Sequence, residues 1–198
     1  MMNNFVINEE QQGQLENYIK LLLEWNNKIN LIGKSTVNDL WNRHIIDSAQ
    51  LMKFLSEEEL KNCKCADFGT GAGFPGIVLS ILGVKNMTLI EKSIQKCNFL
   101  KEAIKFSDNR IDILNKNIND IKTKKFDIIF SRALASLDEL LFMVKPFVKN
   151  NTKCVFLKGR KIEDELVEAR KHHNFECELF DSETSKEGRV VVIKLLQY

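Results

Sequence analysis

Apolar residues recur every three or four positions near the start of the chain, as they do on one face of an amphipathic helix. The residues on this spacing are Leu15, Tyr18, Ile19, Leu22 and Leu23. Asn8 precedes them and is a residue type that accepts the first backbone hydrogen bond of a helix. The pattern therefore predicts a helix that begins after Asn8 and packs one face on a core.

A second pattern of helical period runs from about Asp39 to Phe54. The apolar residues that it directs toward a core are Leu40, Ile45, Leu51, Phe54 and Leu55. Ser56 is followed three residues later by Glu59, a capping-box pattern that predicts the start of a further short helix. Residues 1–60 are therefore predicted to form a helical extension packed on the rest of the chain.

From Cys65 onward, short apolar runs alternate with longer segments of helical period. The predicted strands are Cys65–Phe68, Met87–Ile90, Arg110–Leu114, Phe126–Phe130 and Lys153–Leu157. The predicted helices are Pro75–Leu82, Ile94–Phe106, Leu137–Val148 and Ile162–His172. Because this alternation requires crossover connections, it predicts an α/β fold with a mostly parallel sheet that is covered by helices on both faces.

The end of the chain breaks this alternation. Glu176–Phe180 and Val190–Leu196 have the pattern of two strands, and the loop between them is polar and contains no helical period. They predict an antiparallel hairpin that completes a seven-stranded sheet. Residues 61–198 are therefore predicted to form one Rossmann-like domain. Its terminal hairpin distinguishes it from a dinucleotide-binding fold, which more often continues with a helix and a parallel strand.

Composition narrows the class of protein without deciding its function. Hydrophobic residues make up 44% of the 198 residues, which is enough for a packed core, and the net charge is only +2. Any surface for nucleic acid must therefore be a local patch. The five scattered cysteines, the absence of a long apolar run and the absence of an export pattern in Met1–Ile7 predict a reduced, cytoplasmic protein that binds neither metal nor membrane.

The most informative segment is the glycine-rich loop from Asp67 to Gly76, which follows a predicted strand and opens a predicted helix. Gly71, Gly73 and Gly76 satisfy the dinucleotide fingerprint. The alternative counts Asp67 before Gly69, Gly71 and Gly73, and this order resembles the first motif of Rossmann-like methyltransferases, whose loop holds S-adenosylmethionine. Glu91 ends the next strand, where its carboxylate can accept the ribose hydroxyls of either cofactor.

Two further loops follow predicted strands at the same edge of the sheet. Ile118 and Asn119 follow the third strand and are candidates to cover an adenine and to bond its amine; the alternative is a helix start capped by Asn117 or Asn119. Arg132 follows the fourth strand, at the edge where open α/β sheets bind ligands.

Several segments together resemble one family, the bacterial small-subunit rRNA guanine-N7 methyltransferases, also called glucose-inhibited division protein B. The matching segments are Trp25–Leu31, Arg43–Ser48, Asp67–Gly76, Ser131–Ala133 with Ser136–Leu137, and Leu157–Gly159, and they occur in the family's order along nearly the whole chain. Two positions depart from the family's common pattern, since Phe74 stands where Leu or Pro is frequent and Glu91 where Asp is frequent. Both substitutions keep the type of chemistry.

The resemblance implies the fold of class I S-adenosylmethionine-dependent methyltransferases and a reaction at N7 of one guanine of 16S rRNA, presented as RNA or as the small ribosomal subunit. It implies cofactor contacts at Gly69, Phe74, Ile118, Asn119 and Arg132. Guanine N7 has an unprotonated lone pair, so no acid or base is required and the task is alignment of the reactants. The residues expected to position them are Arg132, His44 and Asp47.

The target base must lie outside a regular helix, because the deep groove of duplex RNA hides N7. Phe74 and Arg132 are candidates to stack on it. Arg43 and Asp47 are four residues apart, which permits an ion pair within a helix or a role in the wall of the active site. A basic rim for phosphates is predicted from Arg43, Lys96, Lys158, Arg160, Lys161 and Arg189.

Three other functions remain open at this point. A nicotinamide-dependent oxidoreductase would share the glycine loop, although the only tyrosines are Tyr18 and Tyr198 and neither forms a Tyr-x-x-x-Lys pair. A non-catalytic RNA-binding module would not need an open loop. A methyltransferase acting on another acceptor would not need the basic rim. The default expectation for the oligomeric state is a monomer.

Overall fold

Seven strands form one sheet in the computed structural model, which describes residues 6–122 and 124–195. The strands are β1 (Cys65–Phe68), β2 (Asn86–Glu91), β3 (Arg110–Asn115), β4 (Ile128–Arg132), β5 (Lys153–Lys158), β6 (Phe175–Asp181) and β7 (Arg189–Leu195). Their order across the sheet is β3-β2-β1-β4-β5-β7-β6. Strands β1 to β5 pair in parallel, and β7 is antiparallel to both β5 and β6. The predicted sheet and its terminal hairpin are confirmed, although β4 begins at Ile128 and not at the predicted Phe126. Leu196, the predicted end of the hairpin, lies outside the described residues.

Helices connect the strands. They are α1 (Glu9–Asn26), α2 (Asp47–Ala49), α3 (Glu57–Asn62), α4 (Gly76–Ile81), α5 (Ile94–Ala103), α6 (Leu137–Val144) and α7 (Ile162–Ala169). The two predicted starts are confirmed, because Asn8 caps α1 and Ser56 forms a capping box with Glu59 at α3. Short 3₁₀ turns extend α5 and α6 to Phe106 and Phe147, close to the predicted helix ends.

The segment after α1 is helical in a less regular way than predicted. A 3₁₀ turn over Lys34–Asp39 is followed by a π-helical stretch over Trp41–Ile46, the short α2, and a second 3₁₀ turn over Gln50–Phe54. The prediction of one helix from Asp39 to Phe54 is therefore wrong in detail. Wide π turns re-aim side chains relative to an α-helix and are frequent at functional sites, and this stretch contains His44.

Two hydrophobic clusters cover the two faces of the sheet. One contains α1, α4 and α5 side chains such as Leu22, Ile77 and Phe99, and the other contains α6 and α7 side chains such as Leu141 and Ile162. Because Leu15, Tyr18 and Leu22 of α1 are fully buried in the first cluster, the N-terminal helices share their core with the sheet. The division of the chain after residue 60 stays a prediction.

One crossover differs from the others. Between β3 and β4 the described residues contain only a 3₁₀ turn, Ile118–Asp120, where the other parallel crossovers contain an α-helix. Residues 124–126, just before β4, lie beside the first residues of β1, β2 and β3, and Phe126 packs into the second cluster. None of the residues of β3 is fully buried, so this edge strand is less covered than β2, of which all residues but Asn86 are buried.

Candidate active site

The glycine loop joins β1 to α4 at the carboxyl edge of the sheet. Gly69, Gly71 and Gly73 have φ angles of +67°, +58° and +95°, a region that glycine enters without the strain imposed on other residues. The amides of Gly69 and Thr70 both donate to the carbonyl of Ile90 at the end of β2. The loop is thereby fixed between the ends of the first two strands.

The space around each glycine shows which of them faces a ligand. A Cβ at Gly69 would lie 2.4 Å from Leu134 Cδ1, and one at Gly73 would lie 2.5 Å from Ile77 Cδ1, so these two glycines permit internal packing. At Gly71 the nearest protein atom to an added Cβ is 3.9 Å away. The space beside Gly71 is therefore open, as a loop that holds a ligand against its backbone requires.

Asp67 ties the two ends of the loop together. Its Oδ2 accepts hydrogen bonds from Thr70 Oγ1 at 2.5 Å and from the amide of Gly76 at 2.9 Å. The carboxyl group is fully buried, and burial raises its pKa to about 6 although Thr70 and Gly76 favour the ionised form. Its other oxygen, Oδ1, has no hydrogen-bond partner among the described residues, which leaves an acceptor for a cationic or N–H-bearing ligand.

Glu91 lies at the end of β2, beside the loop, and is mostly buried. Its Oε2 accepts from the amide of Gly71 at 3.1 Å, and its Oε1 accepts from the amide of Ser93 at 2.8 Å. Each carboxylate oxygen can accept more than one hydrogen bond. Glu91 can therefore hold a ribose diol while it fixes the backbone beside the open space at Gly71.

The segment after β3 forms a helix start capped by an asparagine, as the alternative prediction describes. Asn117 is the N-cap of the 3₁₀ turn, and its side chain accepts from the amide of Asn119 at 3.1 Å. Ile118 packs into the second hydrophobic cluster, whereas Asn119 is exposed. The contact of either residue with an adenine stays a prediction.

Tyr18 is a part of the site that the sequence analysis did not assign to it. The side chain of Tyr18 comes from α1, is fully buried, and donates a 2.5 Å hydrogen bond to the carbonyl of Ala72 in the glycine loop. Its oxygen would lie 3.0 Å from a Cβ at Gly73. Burial raises the pKa of Tyr18 well above its ordinary value, so the phenol stays a donor. Only its place on an apolar helix face was visible in the sequence.

Phe74 connects the loop to the cleft beside it. Its ring stacks on His44 with centroids 4.9 Å apart, and the guanidinium carbon of Arg132 lies 4.9 Å from its centre. Tyr18 packs at 5.4 Å from the same ring. Because Phe74 is only 3% exposed, the prediction that it stacks on a target base is wrong. Its ring is already enclosed by protein side chains.

Arg132, at the end of β4, is held by three acceptors from the N-terminal extension. Its guanidinium donates to the carbonyl of Arg43 at 3.2 Å, to Asp47 Oδ2 at 3.3 Å and to His44 Nδ1 at 2.8 Å. Asp47 therefore pairs with Arg132 and not with Arg43, the partner that the helical spacing suggested. Thr184, in the loop between β6 and β7, donates to the other oxygen of Asp47 at 2.6 Å.

His44 is a neutral acceptor in this arrangement. Burial, together with the charges of Arg132 and Arg43, lowers its pKa from 6.5 to about 4. Since a guanidinium can only donate, Nδ1 of His44 accepts, and Nε2 carries the proton that faces Thr36 Oγ1 at 2.9 Å. His44 and Asp47 therefore orient Arg132, and neither is free to act as a base.

A cleft of ≈ 960 Å³ opens beside Arg132. Its walls come from three parts of the chain: the N-terminal extension with Arg43, His44 and Asp47, the loops after β4 and β5, and the β6–β7 loop. Arg160 and Lys161, which follow β5, lie in the same wall. The cleft is large enough for a small ligand, and its lining has five basic and three acidic side chains.

Residues 11–190 match the family described as rRNA small subunit methyltransferase G. The chain belongs to this family. The ribosomal RNA small subunit methyltransferase G of Orientia tsutsugamushi is 38% identical over 192 residues, which cover 97% of this chain and 94% of that protein. The protein of the same name from Caulobacter vibrioides is 40% identical over 193 residues, which cover 95% and 87% of the two chains.

Solved structures show the same fold at low sequence identity. The DhpI–SAH complex has a TM-score of 0.64 at 12% identity and covers 95% of this chain and 98% of its own. A TehB-like SAM-dependent methyltransferase from Corynebacterium glutamicum has a TM-score of 0.58 at 18% identity and covers 93% and 99% of the two chains. The fold predicted for class I methyltransferases is confirmed, and membership of this family sets aside the nicotinamide oxidoreductase and the non-catalytic module.

Only some of the residues predicted to form a basic rim lie together in the structure. Lys158 is 7% exposed, pairs with Glu165 at 2.5 Å and donates to the carbonyl of Ala135, so it is wrong as a free phosphate ligand. Arg189 bonds the carbonyls of its own loop and pairs with Asp181. Lys96 lies in a separate cleft of ≈ 400 Å³ at the start of α5. Arg43, Lys158, Arg160 and Lys161 line the cleft of Arg132, and of these Lys158 is held by Glu165.

Residues 6–122 and 124–195 contain neither a helix that could span a membrane nor a candidate metal site. None of their helices has the length and apolar character that crossing a membrane demands. No group of three or more His, Cys, Asp or Glu side chains in these ranges is arranged around a metal position.

Replacing Tyr18 by phenylalanine should raise the KM for S-adenosylmethionine by about 3- to 10-fold and change kcat by less than about twofold. The substitution leaves the buried carbonyl of Ala72 without its donor, which costs roughly 1–3 kcal/mol and loosens the loop without altering the chemistry. The measurement is initial-rate kinetics with the cofactor varied. The control is Phe99→Leu, in the same cluster but outside the loop; equal cofactor KM values for both variants would show that Tyr18 acts on stability alone.

Replacing His44 by glutamine should reduce the amount by which the free energy of unfolding falls when the pH is lowered. The unfolded chain protonates His44 near pH 6.5, whereas the folded chain does so near pH 4, so the free energy of unfolding falls as the pH drops from 6.5 to 4. Asp67, whose pKa is raised in the folded chain, changes the free energy of unfolding in the opposite direction. Because both proteins contain Asp67, its contribution cancels when their pH dependences are compared. Urea titrations should show that the free energy of unfolding of the variant rises relative to that of the wild type as the pH is lowered across this range. Parallel curves of this free energy against pH would contradict the assignment of His44 as neutral.

Proposed function

We propose that the chain transfers a methyl group from S-adenosylmethionine to N7 of one guanine in 16S rRNA. The observation that carries the proposal is the connection between the two halves of the site. Phe74 of the glycine loop packs directly against Arg132, and Arg132 lines the basic cleft. A cofactor held by the loop and a nucleotide held in the cleft would therefore meet at Arg132.

The residues of the loop fit S-adenosylmethionine. Gly71 leaves the space for the ligand, Glu91 offers acceptors for ribose hydroxyls, and Asp67 Oδ1 is an unsatisfied buried acceptor that suits a cofactor with positive charge. When bound, this cofactor supplies an electrophilic methyl group on a sulfonium. Gly69, Gly71, Gly73, Glu91, Ile118 and Asn119 are the residues that we propose around it, with Phe74 contributing backbone because its ring is enclosed.

The protein's own task is alignment and exclusion of water. Guanine N7 attacks through a lone pair that carries no proton, and charge is transferred without being created. A general base is not required, which agrees with the commitment of His44 and Asp47 to Arg132. Correct orientation of two reactants can lower a barrier by up to roughly 7–11 kcal/mol. We propose that Arg132 positions the target nucleotide, with Arg43, Arg160 and Lys161 on neighbouring phosphates.

We further propose that the enzyme acts as a monomer in the bacterial cytoplasm, on RNA or on the small subunit. One experiment tests both which molecule accepts the methyl group and which atom is methylated. The protein is incubated with methyl-labelled S-adenosylmethionine and either small or large ribosomal subunits from a strain that lacks this enzyme, and the RNA is digested to nucleosides. Labelled 7-methylguanosine from small subunits alone is expected. Label in another nucleoside, in a ribosomal protein or in the large subunit would indicate a methyltransferase with a different acceptor.

A further inference from the structure

A second cleft, of ≈ 340 Å³, lies at the amino-terminal edge of the sheet, opposite the glycine loop. We call it the rear groove. It is lined by the first residues of β1, β2 and β3 and by the chain that enters β4; these residues are Lys64, Cys65, Asn86, Met87, Thr88, Arg110, Asp112, Lys124, Lys125 and Phe126. None of them belongs to the site described above.

The rear groove results from the irregular crossover between β3 and β4. A helix in this connection would pack on the sheet face at β2 and β3, but the described residues there contain only the turn Ile118–Asp120. Residues 124–126 instead run past the starts of the strands. Polar residues such as Thr88 and Asp112, which are paired in register across β2 and β3, therefore face a cleft and not a packed helix.

The rear groove is strongly basic. Four of its residues are cationic, namely Lys64, Arg110, Lys124 and Lys125, and only Asp112 is anionic, so its lining carries a net charge of +3. The whole chain carries +2, which means that the rest of the molecule has a small net negative charge. The groove thus concentrates the positive charge of the protein at a place that the methyl transfer does not use.

The carboxylates near the rear groove are already neutralised. Asp112 pairs with Arg110 at 3.1 Å, and Asp127 pairs with Lys149 at 2.6 Å. Lys125 donates to the carbonyl of Val148, a neutral partner that leaves its charge uncompensated. Lys64 is exposed. Cations that cluster without matching anions attract a polyanion, and the attraction is released by salt.

We propose that the rear groove binds the sugar–phosphate backbone of the substrate RNA, at a stretch distinct from the one that holds the target guanine. This inference rests on the proposed function. A strand of five or six residues separates the two edges of the sheet by roughly 17–20 Å, so one nucleotide cannot occupy both. Asn86 and Thr88 add neutral groups that suit phosphate oxygens and the 2′-hydroxyl. The groove would thereby fix the orientation of the enzyme on a folded RNA.

The test compares two triple variants with the same net charge. The rear-groove variant carries Lys64→Gln, Lys124→Gln and Lys125→Gln. The control carries Lys20→Gln, Lys101→Gln and Lys171→Gln, three exposed lysines outside the groove. Methylation of small subunits is measured at several salt concentrations, together with the Kd for S-adenosylmethionine and the thermal midpoint. The rear-groove variant should raise the KM for subunits at least about fivefold and reduce the slope of log KM against log salt by about 2, with kcat and cofactor Kd unchanged.

The outcomes separate this inference from the proposed function. Equal KM values and salt slopes for both variants, in the presence of normal methylation, would overturn the rear-groove proposal alone. An effect on assembled subunits that disappears with naked 16S rRNA would also overturn it, because the partner would then be a ribosomal protein. A wild-type enzyme that methylates neither substrate would refute the proposed function itself.

Discussion

Substitution of Gly71 by valine should abolish measurable binding of S-adenosylmethionine and leave a folded protein. The added side chain would extend into the open space beside Gly71, where no protein atom lies closer than 3.9 Å to its Cβ. It would also strain a backbone with a φ of +58° by roughly 1–2 kcal/mol. A rise in Kd of at least about 100-fold, equivalent to about 2.7 kcal/mol, is expected in isothermal titration calorimetry.

Gly83→Val is the matched control for this experiment. Gly83 also has a positive φ, +129°, and open space around it, but it follows the end of α4, at the edge of the sheet opposite the glycine loop. Its substitution should lower the thermal midpoint and leave the cofactor Kd within about twofold. Gly69 is a poorer choice, because its Cβ would collide with Leu134. Retention of normal affinity by the Gly71 variant would place the cofactor elsewhere.

The second large effect is expected at Arg132. Arg132→Ala should lower kcat/KM for small subunits by about 100-fold, because it removes the group that joins the glycine loop to the cleft and releases Phe74 and His44 from their positions. Displacement of a reacting group by about 1 Å can cost a factor of this size. Single-turnover methylation with saturating cofactor measures the loss in the chemical step.

Arg132→Lys separates the charge of Arg132 from its geometry. Lysine keeps the charge but cannot reach Arg43, His44 and Asp47 with the planar fork of a guanidinium. It should recover less than about a tenth of the lost activity. A lysine variant with near wild-type kinetics would show that Arg132 acts by charge alone, and an alanine variant with unchanged kcat would remove Arg132 from the proposed mechanism.

The strands and the helix starts could be predicted from the sequence because they depend on local pattern. Alternating apolar runs located β1 within its observed bounds, and the side chains of Asn8 and Ser56 marked two helix starts. The glycine loop was equally visible, since its residues are consecutive. Local chemistry of this kind needs no knowledge of the fold.

The contacts that build the cleft could not be predicted, since they join distant parts of the chain. His44 and Arg132 are 88 residues apart, and Tyr18 and Ala72 are 54 apart. A pattern within one helix suggested Arg43 as the partner of Asp47, but the π-helical stretch and the position of β4 give it Arg132. The sequence predicts Lys158 as a phosphate ligand, because nothing in it shows that Glu165 pairs with this lysine.

A direct test of methylation at guanine N7 uses small subunits from a strain that lacks this enzyme. The subunits are incubated with labelled S-adenosylmethionine and the protein, and the label is mapped along the 16S rRNA. Label at N7 of a single guanine is expected, with none on subunits from the parent strain and none with the Gly71 variant. Absence of label on both subunits and naked 16S rRNA, from a protein that binds the cofactor, would contradict the account.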